Sequence, residues 1–231
     1  MNNNIEMKMI FKRLLDIILS FLLLISTLPI LIIFMIIIYF QSGDNPIYTQ
    51  RRGLTLDRNC FKIYKLRTIK KLHTHSESHN IYLKHELIQS VIPIGKFLRR
   101  TGLDELPQLF NVLKGEMTFI GPRPLSMEDL KMMKNEEPQF YERRCRIFTK
   151  PGISGFWQLF GERNLGTKNL IYCEEYYEMN KSLFVDMKLM LLTLLVIFRA
   201  KHSDSILSED MIKLKKSSRL KIFTLIKNGL N

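Results

Sequence analysis

The stretch Leu14–Phe40, LLDIILSFLLLISTLPILIIFMIIIYF, is apolar almost throughout and constrains this chain more than any other feature. It is too long and too branched for the apolar core of a secretory signal, and no small-residue cleavage site follows it. As one helix it would run about 40 Å, against a hydrocarbon core of about 30 Å. A plain transmembrane helix is the simplest reading. Pro29 argues for another, because it lacks an N–H and so kinks or breaks a helix. Ser26 and Thr27 lie within the preceding turn, able to bond the carbonyls a proline frees. Both flanks are basic: Lys8, Lys12 and Arg13 come before, Arg51, Arg52 and Arg58 after. Basic residues favour the cytoplasmic side, so two basic flanks favour a helix–break–helix hairpin that dips into one leaflet and returns. On these grounds a straight span stays open as the alternative.

Outside that stretch the chain is basic. Lys and Arg number 35 against 22 Asp and Glu, a formal net charge of +13 that calls for nucleic acid, anionic lipid or a phosphate-rich ligand. Trp157 and the tyrosines form no stacking series within the basic regions, so nucleic acid is not expected. Cys60, Cys145 and Cys173 are odd in number and scattered, which excludes a disulfide framework and fits a reducing compartment. A length of 231 residues holds one domain with appendages. The divisions fall at a membrane segment over 1–45, a main domain over 46–200 and a basic amphipathic tail over 201–231.

Gln41–Pro46, QSGDNP, is a turn-rich exit from the apolar stretch. Ile47–Thr68 carries two β-leaning runs around a polar loop and predicts a hairpin. Met127–Arg146 has a helical charge pattern, residues 149–166 read as a glycine-rich loop, and Ile171–Ala200 reads as one or two helices. His73, His75, His79 and His85 lie in a polar segment without cysteine or standard finger spacing, so a solvated loop is expected there rather than a metal site.

The segment RRTGLDELPQLFNVLKGE, Arg99–Glu116, holds the most informative acids. Pro107 is tolerated only in a helix's first turn, which makes Asp104 a natural N-cap and Gly115 the terminator. An isolated Asp-Glu pair is ordinarily no more than that. Beside Arg99 and Arg100, however, a carboxylate at a helix start is held ionised, as a nucleophile or Mg²⁺ ligand must be, and the same field attracts phosphate. In GPRP, Gly121–Pro124, two prolines stiffen the backbone around Arg123, whose guanidinium suits bidentate phosphate binding. KPGISGFWQ and GERN add Lys150 and Arg163; Arg51, Arg52, Lys62, Lys65 and Arg67 cluster just beyond the apolar stretch. Asp186 sits in LFVDMKLMLLTLLVIF, where an acid needs a partner or a function, and Lys188 at i+2 does not face it. Neither a dinucleotide-binding fingerprint nor a P-loop occurs.

Taken together, KRLLDI, Pro29, FKIYKLRT, IGKFLRRTGLDELPQLFNVLKGEMTFIGPRP, KPGISGFWQ with GERN, and SLFVDMK resemble the bacterial sugar transferases of the small, monotopic phosphoglycosyl transferase kind, from about Lys12 to Phe198. The resemblance implies an α+β, mostly helical fold. A single cytoplasmic domain would stand on a re-entrant hairpin with interfacial amphipathic helices, at the cytoplasmic face of a bacterial plasma membrane. It implies transfer of a sugar 1-phosphate from a UDP-sugar to polyprenyl phosphate. Asp104 and Glu105 would form the catalytic dyad and hold Mg²⁺; Lys65, Arg67, Arg99, Arg123, Lys150, Arg163 and Asp186 would bind phosphate or support the site. Anionic lipid is a further expected partner, a homodimer is allowed, and a basic non-catalytic membrane adaptor or nucleic-acid-binding protein is the rival reading. Four departures stand out. Leu28 precedes Pro29 where serine is frequent, the Gly53–Phe61 spacing is unusual, Gly102 occupies a common serine position, and Glu174 stands where aspartate is usual, a change expected to bear on substrate contacts.

Overall fold

A computed structural model of the protein describes residues 2–70, 90–162 and 165–198; the histidine-rich segment, Arg163 and the tail 201–231 lie outside them. Helix α1 spans Asn2–Ser42 with Pro29 inside it, about 60 Å of continuous helix. No non-helical residue interrupts it at Pro29. A proline removes one backbone bond, here to the Ile25 carbonyl, whereas abandoning the helix in an apolar setting would strand many. Ser26 Oγ and Thr27 Oγ1 do not turn to the freed group. Both donate to the Leu23 carbonyl, at 3.0 and 2.6 Å.

One stripe of α1 faces the rest of the protein. Asp16, Ser20, Leu24, Leu31, Phe34 and Ile38 are buried at helical spacing, while Leu14, Ile18, Phe21, Leu22, Ile25, Leu28, Ile33 and Ile36 are exposed. Such a continuous exposed apolar surface suits lipid and not water. Met9–Ser42 is long and apolar enough to cross a membrane. Both of its ends, however, bond the same domain. Arg13 donates to the Val112 and Leu113 carbonyls at 2.7 and 3.0 Å, and Gln41 Oε1 accepts from the Ile94 N–H at 3.0 Å.

Beyond the helix, β1 (Ile47–Gly53) and β2 (Phe61–Leu66) form the expected antiparallel hairpin, with Ile47 opposite Leu66 and Arg52 opposite Phe61. Phe61 and Ile63 are buried on one face of β2, and Leu66 is buried on the other. Helix α2 (Pro93–Thr101) opens on a proline at its first turn and closes on Gly102, whose φ of 77° is open to glycine at little cost. A 3₁₀ turn, Leu103–Gln108, comes next and runs into α3 (Leu109–Lys114). Leu24, Leu31, Phe34 and Ile38 of α1 close over Leu66, Ile92, Leu98 and Leu109 in one core. Each fully buried side chain of this size contributes about 1.5–3 kcal/mol.

Strand β3 (Thr118–Ile120) pairs in parallel with β5 (Gly152–Ser154), with Thr118 opposite Gly152. The connection between them carries β4 (Leu125–Ser126), which joins the free edge of β1, then α4 (Met127–Glu136) and α5 (Pro138–Cys145). Ser126 caps α4 by accepting from the Asp129 N–H at 3.0 Å. After β5 come α6 (Phe156–Phe160), α7 (Gly166–Asn180) and α8 (Leu183–Phe198), packed around Leu130, Ile171, Tyr177 and Leu189. The loop expected over 149–166 thus contains a strand and a helix. Its glycines mark close packing, not a lack of structure. A Cβ on Gly155 would lie 2.0 Å from the Gly121 carbonyl oxygen.

Candidate active site

Asp104 and Glu105 lie inside the 3₁₀ turn, and Gly102 occupies the cap position expected for Asp104. The reason is local. Gly102 turns the chain in a left-handed conformation, so the helical turn begins at Leu103, before Asp104. Both acids are buried, at 5% and 7% exposure. The adjacent strand answers them: Lys65 Nζ on β2 reaches Glu105 Oε1 at 2.6 Å. Two carboxylates so close together and so far from water need this compensation.

Around the pair the basic residues take different stations. Arg99, at the end of α2, donates through Nε to Thr68 Oγ1 at 2.8 Å. Arg123 lies in the loop after β3, its guanidinium 5.4 Å from the centre of the Trp157 ring. Arg67 turns to the exit of α1, donating to the Asn45 carbonyl at 2.6 Å and approaching Asp44 at 3.6 Å. Lys150 donates to the Gly115 carbonyl at 2.8 Å, at the far end of α3 and roughly 15–20 Å of helix from the acids. It works there as a C-terminal cap. Of the expected set, then, Lys65 bonds the acidic pair directly. Arg67 and Lys150 hold backbone elsewhere.

Asp186 has the partner its apolar surroundings demand, and the partner is 174 residues away. Lys12 Nζ stands 2.5 Å from Asp186 Oδ2, and the Tyr177 hydroxyl donates to Oδ1 at 2.6 Å. Lys12 also donates to the Ile120 carbonyl at 3.0 Å, immediately before the Arg123 loop. Burial, then the neighbouring Asp186 charge, push the Tyr177 phenol well above its ordinary value, so it remains a donor.

The sequence marked Glu174 but not its partner, Arg144. Arg144 and Glu174 form an ion pair with side chains 0% and 1% exposed. Burial pushes the Glu174 carboxyl up and the Arg144 guanidinium down, against the mutual attraction that favours the charged forms. Glu174 accepts from the Arg123 N–H at 2.9 Å, and Arg144 donates to the Arg123 carbonyl at 2.5 Å. Glu174 therefore holds the protein's own loop and is sealed from substrate, contrary to the expected role in substrate contacts. The signal was present in the spacing: Leu170, Glu174 and Tyr177 make one buried stripe of α7, and Tyr141 and Arg144 one of α5.

The structure thus holds a buried acidic pair with Lys65 on Glu105, an arginine loop in the same domain, and an apolar helix long enough to cross a membrane. The bacterial sugar transferase family profile matches residues 7–200, and the chain belongs to that family. It is 34% identical over 85% of its length to an uncharacterized sugar transferase of Haemophilus influenzae, spanning 43% of that protein. It is 30% identical over 81% of its length to the undecaprenyl-phosphate galactose phosphotransferase of Salmonella typhimurium, spanning 40% of it. A UDP-galactose-lipid carrier transferase of Erwinia amylovora is 29% identical over 81% of the chain, which again spans 40% of the relative. The chain thus spans about two fifths of the length of these relatives.

Proposed function

We propose that this protein transfers a sugar 1-phosphate from a UDP-sugar to a polyprenyl phosphate at the cytoplasmic face of the bacterial membrane. The observation that carries the reading is the pair of adjacent buried carboxylates, Asp104 and Glu105, with Lys65 fixed on Glu105. The names of the relatives support the two substrates: one is called an undecaprenyl-phosphate phosphotransferase, the other a UDP-galactose-lipid carrier transferase.

In this reading an Asp104 carboxylate oxygen bonds to the sugar-bearing phosphorus as the bond to the departing UMP breaks. A polyprenyl phosphate oxygen then attacks the same phosphorus. The carboxylate is released, and the sugar leaves on a polyprenyl diphosphate. Lys65 fixes Glu105 beside the nucleophile, and Arg99 and Arg123 meet phosphate oxygens as their charge shifts. Arg67 and Lys150 act at a distance, by holding the exit of α1 and the end of α3. Arg163 remains a candidate phosphate ligand on sequence grounds alone.

Mg²⁺ fits the donor chemistry of the acidic pair. Among the described residues no group of three or more His, Cys, Asp or Glu forms a cage. Magnesium needs none, since one or two carboxylates with substrate phosphates suffice. Asp104 and Glu105 would hold it, and when bound it neutralises diphosphate charge.

Both ends of α1 would stay on one face of the bilayer, with its apolar stretch sunk into the near leaflet. What supports this is that Arg13 near its start and Gln41 at its end bond the same domain, which a straight span would separate. The test of the function is a panel of UDP-sugars incubated with undecaprenyl phosphate, Mg²⁺ and the purified full-length protein, with UMP release as the readout. One donor should give sustained release, and Asp104→Asn should lower it at least a thousandfold while the protein stays folded. Release by Asp104→Asn within tenfold of wild type would refute attack by this residue.

A further inference from the structure

The loop Gly121–Pro124 presents Arg123, and the phosphate-binding role proposed for that side chain is the premise here. The protein grips Arg123 by its backbone. Its N–H donates to Glu174 Oε1 at 2.9 Å, and its carbonyl accepts from Arg144 Nη2 at 2.5 Å. Arg144 Nη1 pairs with Glu174 Oε2, and Arg144 Nε donates to the Leu54 carbonyl at 2.6 Å. One ion pair thus closes a ring through both peptide groups of a single residue and anchors that ring to the end of the β1 strand region.

Three physical points give this ring a purpose. Pro122 and Pro124 have no N–H, so Arg123 supplies the one backbone donor of the Pro-Arg-Pro segment, and Glu174 takes it. The pair is sealed from solvent, so neither side chain touches a substrate. And buried charges are a poor way to fill space, because apolar residues of similar volume commonly serve as well or better. Filling therefore does not explain them, whereas fixing both peptide planes of Arg123 does. We infer that Arg144 and Glu174 are positioning residues that set the direction of the Arg123 guanidinium over Trp157.

The test is a mutant cycle on the full-length protein, using undecaprenyl phosphate and whichever UDP-sugar the donor panel selects. Arg144→Met combined with Glu174→Gln removes both charges, keeps the volume and leaves an acceptor for the Arg123 N–H, but removes the donor to its carbonyl. The folded double variant should lose ten- to a hundredfold in kcat/KM for UMP release. In an Arg123→Ala background the same two substitutions should change the rate less than twofold, because the side chain they aim is gone. Arg144→Lys is the second variant. It keeps Glu174 paired, but a lysine cannot serve Glu174, Arg123 and Leu54 together, so it should show the same loss and the same dependence on Arg123. A folded double variant within twofold of wild type, or an equal loss with and without Arg123, overturns the inference. Arg123→Ala at the wild-type rate removes the underlying role for Arg123, and the inference with it.

Discussion

Lys12→Met isolates the contribution of the contact between the apolar helix and Asp186. Lys12 Nζ makes three contacts: Asp186 Oδ2 at 2.5 Å, the Ile120 carbonyl at 3.0 Å and the Tyr177 hydroxyl at 3.3 Å. The methionine keeps the length of the chain and removes the charge. Asp186, with its side chain 11% exposed, then keeps only the Tyr177 hydroxyl as a donor among these. Stripping one partner from a buried pair costs about 3–5 kcal/mol; Lys12 is 25% exposed, so solvent reduces this to about 2–3 kcal/mol. For a chain of this size that is a fall in Tm of about 5–10 °C. The chain has one tryptophan, Trp157, which lies in the main core and reports unfolding by its fluorescence in detergent micelles. Adding Asp186→Leu to Lys12→Met removes the stranded charge and should restore most of the lost Tm. A single variant melting within 2 °C of wild type would refute the reasoning, as would a double variant no more stable than the single.

The geometry sets two further outcomes. With Cys60, Cys145 and Cys173 replaced, Asn3→Cys and Asp44→Cys should both be shielded from an impermeant thiol reagent added outside intact spheroplasts; labelling of just one would establish a full span. Burial alone would raise the Glu178 carboxyl, but hydrogen bonds from Lys181 and Thr149 outweigh it and hold the group below its ordinary 4.5. Its contribution is therefore present above that value and lost as pH falls through the lower folded-state value. Glu178→Gln should cost about 1 kcal/mol at neutral pH, and the gap to wild type should close on acidification. A gap equal at pH 7 and pH 3.5 would assign the effect to packing instead.

The parts of this fold that were legible in the sequence are those fixed by neighbours in the chain. Two β-leaning runs around a polar loop predicted the hairpin of Ile47–Leu66. Gly115, with φ of 82°, ends α3 where a glycine after an apolar helical run predicts. The acidic pair and Arg123 were visible because prolines and charges crowd around them. Interactions between distant parts of the chain were not visible. Asp186 plainly needed a partner, but nothing near Lys12 marks it as that partner. Arg144 sits in the run ERRCR, which looks like a solvated helix face, yet Arg144 is fully buried while Arg143 beside it pairs with Glu175 at the surface. Composition cannot separate two adjacent arginines; the rotation of α5 against α7 does. Pro29 lies inside a continuous helix, since a residue that breaks helices in water is tolerated where leaving the helix is costlier.

The polar residues at the start of α1 tie the apolar helix and the segment bearing the acidic turn into one folding unit. Arg13 donates to the Val112 and Leu113 carbonyls, at the negative end of the helix that begins from the acidic turn. Asp16 accepts from Thr118 Oγ1 at 2.7 Å and from the Phe119 N–H at 3.3 Å, and Lys12 donates to the Ile120 carbonyl. Those three residues are β3, which leads directly to the Arg123 loop. Three residues of the helix, Lys12, Arg13 and Asp16, thus hold both the segment bearing Asp104 and the one bearing Arg123. None of these groups would be stable facing lipid, so they must meet the domain whenever the apolar stretch is inserted. On the proposed function, the same contacts would keep the acidic pair close to the interface where a lipid phosphate would arrive.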